Sequence, residues 1–268
     1  MKNRKKEIVH SRNHKKKPGT KKHISNGSKV ILTRALSKLG YCSRTRAAEL
    51  IRQGRVKVNQ QTASSPDHWI DLTKDLIQVD GKQITAAKNV YLMLNKPRGL
   101  VTTVSDEKGR ETIFSCLTDP DLPWIFPVGR LDKASEGLLL LTNDTDWAAT
   151  ILDPSVHLNK IYHVQIRGMI NGELLNKFKE GIFEQGELLK MKQVKKIRQG
   201  SKNSWLEIIL DEGRNRHIRR LLQAFHLPVI RLIRIAIGSL TLGDLKKGEY
   251  RHLTVHEQKV LQFLKGNL

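Results

Sequence analysis

The chain has 268 residues, 38% hydrophobic and 5% aromatic, enough for one large domain or two ordinary ones around cores poor in aromatic rings. Lysine and arginine total 48 against 26 acids, a net charge of +22 that predicts a polyanionic partner, because neutralising phosphates releases counterions. With no apolar run near the roughly 18 residues of a membrane span, no signal-peptide apolar region and only two cysteines, Cys42 and Cys116, the chain reads as a monomer of the reducing cytoplasm with no membrane role.

Residues 1–28 hold ten of the basic side chains and one acid, Glu7. So little apolar surface cannot offset chain entropy, and the stretch is expected to be a disordered arm. It serves either as a solubilising tail or as an arm that follows phosphates.

Residues 29–84 form the next unit. Leu32, Ala35, Leu36 and Leu39 recur at helical spacing up to Gly40. Ser43 is placed to cap a second helix with Ala47, Leu50 and Ile51 on its inner face and Gly54 past its end. Alternation over residues 55–58 and 77–79 predicts short strands, the second leading into an Asp80-Gly81 turn. Ser43, Arg44, Arg46, Arg52, Arg55 and Lys57 then share one surface, which is either a solvated face or an RNA contact.

This unit resembles the S4 RNA-binding domain over residues 39–59, LGYCSRTRAAELIRQGRVKVN. The family usually places glycine after the asparagine. Gln60 stands there, so the hairpin turn is expected to differ slightly.

Residues 89–268 alternate strands and helices without a strict βαβ rhythm, which predicts an α+β fold with a mixed sheet. The run 91–95 is mostly apolar, and 138–142 is a buried-strand candidate before the turn-forming Asn143-Asp144. Tyr162, Val164 and Ile166 share one strand face, and 205–210 is a further strand. Ile218, Leu221, Leu222 and Phe225 make the stripe of a helix packed on the sheet.

Three segments in this region could carry chemistry. In residues 129–137, GRLDKASEG, glycines at both ends permit a tight turn and the close approach of a substrate. Between them Asp132 lies amid Arg130 and Lys133, which favour its ionised form. A carboxylate on an RNA-facing loop repels phosphate, so it suits a nucleophile or ion stabiliser at a sugar carbon. The alternative is a salt-bridged surface loop. In residues 211–220, DEGRNRHIRR, arginines open a helix whose positive dipole end also attracts anions, and a plain phosphate-binding face explains them equally. In residues 160–162, KIY, Tyr162 reads as core or as a site residue.

Taken together, these segments resemble the S4-carrying pseudouridine synthase family that modifies bacterial ribosomal RNA. The resemblance runs through 94–99 (LNKPRG), 128–144 (VGRLDKASEGLLLLTND), 160–168 (KIYHVQIRG), 212–220 (EGRNRHIRR), 231–238 (RLIRIAIG) and 248–253 (GEYRHL). It implies isomerisation of a uridine flipped out of its stack, with no redox change, no phosphate transfer, and so no cofactor or metal. It also implies Asp132 as the catalytic carboxylate, Arg219 as the partner that orients it, and Tyr162 stacked on the flipped base. Arg130 would hold the flipped nucleotide's phosphate, Arg214, Arg216 and Arg220 would contact RNA, and Lys96 would support the site. Two departures stand out: His217 replaces the family's usual glutamine or glutamate, and Ser135 replaces a commoner threonine. The pattern is nearer to large-subunit modifiers than to small-subunit ones. The rival from another class is a non-catalytic rRNA-binding assembly factor on the same fold.

Overall fold

The computed structural model describes residues 29–104 and 106–262; the basic arm expected over 1–28 lies outside the described residues. The first unit comprises β1 (Lys29–Ile31), α1 (Leu32–Lys38), α2 (Arg44–Arg52), β2 (Val56–Val58), β3 (Gln61–Thr62), β4 (Trp69–Asp71), β5 (Ile77–Val79) and β6 (Lys82–Gln83). The hydroxyl of Ser43 accepts the Arg46 amide at 3.1 Å and so starts α2, as its place before the apolar stripe predicted. Leu36 on α1, Ala47 and Ile51 on α2, and Val56 and Val79 on the strands close one core. The strands pair in the order β3-β2-β5-β6, and β1 pairs with β4.

Lys57↔Thr62 and Val58↔Gln61 are register partners, which leaves Asn59 and Gln60 as a two-residue turn. Both have positive φ, 49° and 69°, as a type I′ hairpin requires. The turn is therefore closed tightly, with Gln60 adopting the left-handed conformation in which glycine is free of strain. Asn59 anchors it: its carboxamide donates to Asp75 at 2.9 Å and accepts the Leu76 amide at 2.9 Å.

The rest of the chain forms β7 (Tyr91–Lys96), β8 (Phe126–Val128), β9 (Glu136–Thr142), α3 (Thr145–Leu152), β10 (Lys160–Arg167), α4 (Gly172–Glu180), β11 (Ile182–Glu184), β12 (Glu187–Leu189), β13 (Gln193–Gln199), β14 (Asn203–Leu210), α5 (His217–Ala224), β15 (Val229–Ile237), β16 (Leu240–Thr241), β17 (Tyr250–His252) and α6 (Val255–Gln262). Seven of these strands follow the order β13-β14-β10-β15-β9-β7-β17, with β16 added to β15 and β8 to β9 in a nine-stranded sheet. The fold is α+β. β9 is buried along its whole length, as its run of four leucines demands, because both its faces are covered.

All pairs in this sheet are antiparallel except β9 with β15, which run parallel through Ile233↔Glu136 and Arg234↔Gly137. A Cβ on Gly137 would lie 2.2 Å from the Arg234 carbonyl oxygen, and its φ is +100°. The glycine at this end of the Asp132 loop thus admits the backbone of β15; the expected reason, approach of a substrate, is not what the strand geometry requires. The two units meet where the Trp124 amide donates to the Gly40 carbonyl at 3.1 Å and Lys38 pairs with Asp146 at 3.2 Å.

Candidate active site

Asp132 sits on the loop between β8 and β9, and a second loop, following β7, grips this one. The Gly99 amide donates to the Lys133 carbonyl at 2.8 Å. The Thr102 hydroxyl donates to the Leu131 carbonyl at 2.7 Å. Lys96, fully buried, donates to the carbonyls of Pro97 at 3.0 Å and Ser135 at 2.9 Å. Burial pushes the Lys96 ammonium down to about 8, against the opposing pull of Asp132 and Glu136. The LNKPRG segment thus works as a clasp that fixes the backbone on both sides of Asp132, and Lys96 takes the supporting place expected of it.

Just beyond the loop, Glu136 is 3% exposed and chelated by Arg231, at 2.8 and 3.0 Å, and by Lys247 at 2.7 Å. Burial alone would raise its carboxyl; the bonds from the two cations hold it below the ordinary value. Nothing in the spacing of these residues announced this cluster around a buried carboxylate, because its three members come from three separate segments.

The cations nearest to Asp132 are not its chain neighbours. Among the described residues its ion pairs reach Arg219 Nε at 3.9 Å and Arg216 Nη1 at 4.0 Å, both from the entry to α5, and none reaches Arg130 or Lys133. Arg219 thus stands where its expected pairing with Asp132 requires, Arg216 joins it, and the chain neighbours Arg130 and Lys133 form no ion pair with the carboxylate. Arg219 is mostly buried, and its Nη2 donates to the Ala134 carbonyl at 3.0 Å, which ties α5 to the aspartate's own loop. Its Nε is buried without a hydrogen-bond partner, one short movement from the carboxylate. Desolvation lowers its guanidinium, and Asp132 works against that shift.

These groups line one cavity of about 560 Å³. Arg130, Asp132, Tyr162, Arg214, Arg216 and Arg219 all face it, so the fold brings together residues that are spread over ninety positions of sequence. Tyr162, half-buried on β10, packs against two of the hydrophobic cores and still borders the cavity, so the core and site readings of this residue are compatible. Arg214 is held by Glu212 at 2.8 Å. His217 is buried at the cavity wall with Nδ1 3.3 Å from Glu212, and burial lowers its imidazole. Ser135, also buried, keeps its main chain inside the clasp by accepting from Lys96.

The fold leaves several predicted contacts elsewhere. Arg220 does not line the cavity; it pairs with Glu184 at 2.5 Å and Glu187 at 2.7 Å, pinning α5 to the β11–β12 hairpin. Arg44, Arg46, Arg52, Arg55 and Lys57 are exposed on the first unit. Arg46 pairs with Glu49 and Arg55 with Asp80, while Ser43 is engaged as the α2 cap. Arg234, which sequence reasoning passed over, is 6% exposed and borders the cavity beside Tyr162.

Among the described residues no helix is long and apolar enough to cross a membrane, and no group of three or more His, Cys, Asp or Glu is placed to hold a metal ion.

Comparison with known proteins identifies the family. Residues 90–224 match the profile of a family described as RNA pseudouridylate synthase, and residues 32–70 match the S4 domain. A protein of Aquifex aeolicus (strain VF5) described as an uncharacterized RNA pseudouridine synthase is 39% identical over 230 residues, covering 85% of this chain and 92% of its own. The ribosomal large subunit pseudouridine synthase B of Bacillus subtilis (strain 168) is 35% identical over 237 residues, covering 87% of this chain and 96% of its own. A crystal structure of a pseudouridylate synthase superposes with a TM-score of 0.61 at 30% identity, covering 87% of this chain and 99% of that one. With half its length in that profile and relatives matched nearly end to end, the chain belongs to the RNA pseudouridylate synthase family, an isomerase of uridine in RNA preceded by an S4 domain.

Proposed function

We propose that this enzyme isomerises one uridine of ribosomal RNA, in the large subunit, with Asp132 as the carboxylate that meets the sugar carbon. The observation that carries the reading is the meeting of Asp132, Arg219 and Tyr162 in one cavity, with the carboxylate on a doubly clasped loop. The choice of subunit leans on the likeness to the Bacillus subtilis large-subunit enzyme.

The chemistry follows from what the reaction must do. The bond from C1′ to base N1 breaks, the base turns, and C5 joins the same carbon; C5 loses a proton and N1 gains one. The sugar carbon becomes electron-poor as N1 leaves, and an ionised carboxylate is the group that meets it. Asp132 has two guanidiniums near 4 Å, placed to hold its direction. Catalytic contacts are often long before substrate binds and tighten with it. Tyr162 gives the flipped base a ring to lie against, and the exposed Arg130 at the cavity rim reaches the backbone phosphate. Flipping demands a few kcal/mol, which cationic contacts to the surrounding RNA supply. The exposed arginines and lysine of the first unit, Arg44, Arg52 and Lys57, have no ion pair among the described residues and suit that task.

The test has two arms. Pseudouridines are mapped along the rRNA of a strain with and without the gene; one large-subunit position should lose its mark. The same map after complementation with Asp132→Asn should stay blank while the variant still folds and binds RNA. A restored mark would rule out Asp132 as the reacting carboxylate, and unchanged rRNA maps would point to a different RNA.

A further inference from the structure

Arg234 on β15 is the register partner of Tyr162 on β10, and both border the cavity. Its Nε donates to the Leu138 carbonyl at 2.8 Å, but its Nη2 is buried without a hydrogen-bond partner. Among the described residues no carboxylate forms an ion pair with it, in contrast to Arg220, which has two, and Arg219, which faces Asp132. Lys160, two positions before Tyr162 on the same strand, also lines the cavity and has no ion pair there. Burial and the nearness of Arg234 lower its ammonium; Asp211 opposes them but is itself paired with Lys192 at 3.3 Å. Two cations without a counter-ion, one with an unmet buried N–H, are an expensive arrangement for a fold to keep. Such a defect asks for an acceptor delivered from outside.

We propose that Arg234 and Lys160 form a recognition site for the carbonyl oxygens of the target uracil. This rests on the reading of the cavity as the uridine site. A backbone phosphate is the rival acceptor, but the exposed Arg130 and Arg216 already offer it cations where solvent reaches. Arg234 is buried beside the tyrosine ring against which the base lies, and a flat base reaches it where a diester must bury its charge. The site also gains strength when it is needed. As C1′–N1 breaks, the bond pair stays with the base and spreads over N1, O2 and O4; when C5 bonds to C1′ the pair returns and the C5 proton is released, N1 taking one up. A cation at a carbonyl oxygen thus binds the transition state more tightly than the ground state.

The experiment uses the full chain and a synthetic fragment of ribosomal RNA spanning the uridine mapped above, with that uridine unmodified or replaced by 2-thiouridine or 4-thiouridine. Sulfur is the weaker acceptor. In single-turnover reactions at saturating RNA, one of the two thio substrates should react about tenfold more slowly with the wild-type protein, the loss expected of one hydrogen bond to a charged donor. In Arg234→Met and Lys160→Met the rate on ordinary uridine should fall, and the thio penalty should shrink to about twofold in at least one of them. A purely structural role lowers all rates together and leaves the penalty intact; that result overturns the proposal. So does a penalty that is abolished instead with phosphorothioates flanking the target, which assigns the site to the backbone. If Arg234→Met does not fold, as judged by its melting curve, Lys160→Met decides. Failure of the wild-type protein to convert the unmodified fragment defeats the uridine-site reading itself, and with it this one.

Discussion

The arginines at the start of α5 take three roles where the sequence distinguished two. Arg219 Nε and Arg216 Nη1 lie at nearly the same distance from the Asp132 carboxylate, 3.9 and 4.0 Å. At an effective dielectric of about 20 such a separation corresponds to roughly 4 kcal/mol of attraction, against about 1 kcal/mol in bulk water. The side chain of Arg219 is 12% exposed and that of Arg216 is 51% exposed, so the first contact lies near the upper figure and the second near the lower. Arg219→Ala also strands the Ala134 carbonyl. If half of the Arg219 attraction is felt in the transition state, turnover should fall about 30-fold, with RNA affinity lowered severalfold. Arg216→Ala should lower turnover by less than about tenfold and affinity by more. This revises the plain phosphate contact expected from sequence, since the residue stands beside the carboxylate. Arg220→Ala should leave both nearly unchanged and lower the urea midpoint, because its partners are Glu184 and Glu187. Arg219→Lys keeps charge without the planar fork and should fall between wild type and alanine. Single-turnover rates at saturating RNA, with urea melts on each variant, test the series. Equal maximal rates for wild type and Arg219→Ala would refute the pairing, and an Arg220→Ala defect in turnover alone would refute the structural role of that residue.

Three further outcomes follow from the packing. Gln60→Gly should raise stability by about 0.5–1 kcal/mol, seen as a small rise in Tm, because Gln60 holds φ 69° that glycine adopts without strain; a lower Tm would mean that its side chain does more than occupy the turn. Gly137→Ala should remove about 4 kcal/mol or more, or prevent folding, since its Cβ would sit 2.2 Å from the Arg234 carbonyl oxygen; a soluble variant with an unchanged Tm would contradict the close β9–β15 approach. For Lys96, the folded chain releases a proton near pH 8 that the unfolded chain keeps to its ordinary value of 10.5. Between those values the unfolded state binds more protons, so stability should rise with pH by up to roughly 3 kcal/mol and be lost again as pH falls through 8. Urea titrations from pH 7.5 to 10.5 should show this component in the wild type and not in Lys96→Met; parallel curves would show that Lys96 is not desolvated.

Much of the architecture was legible from local pattern. The leucine run of β9, the alternation along β10 and β14 and the stripe of α5 each place one face in a core, and burial enforces what the pattern states. Ser43 could be read as a cap because capping joins residues three apart, Ser43 and Arg46, on one chain segment. The ordered motifs likewise placed Asp132, Tyr162 and Arg219 in one expected site, since they report what a family of folds brings together. The motifs also gave Arg219 as the partner of Asp132, but charge pairing was not legible from chain neighbours. Arg130 and Lys133 are its chain neighbours, yet the chain turns at Lys133-Ala134, where the Ser135 amide closes on the Asp132 carbonyl, and neither cation pairs with the carboxylate. The carboxylate instead meets guanidiniums 84 and 87 positions later, carried to it by the packing of α5 on the sheet. Arg220 looked equivalent to Arg216, but its place on the helix turns it toward Glu184 and Glu187 on a hairpin whose position no periodicity specifies. The same holds for Gly137, whose need for a bare Cα comes from a parallel partner strand almost a hundred residues away, and for the unpaired Arg234 beside Tyr162. Periodicity records how a residue relates to its own element, whereas ion pairing and close approach depend on the register between elements, and that register is set by how all the buried faces fit at once.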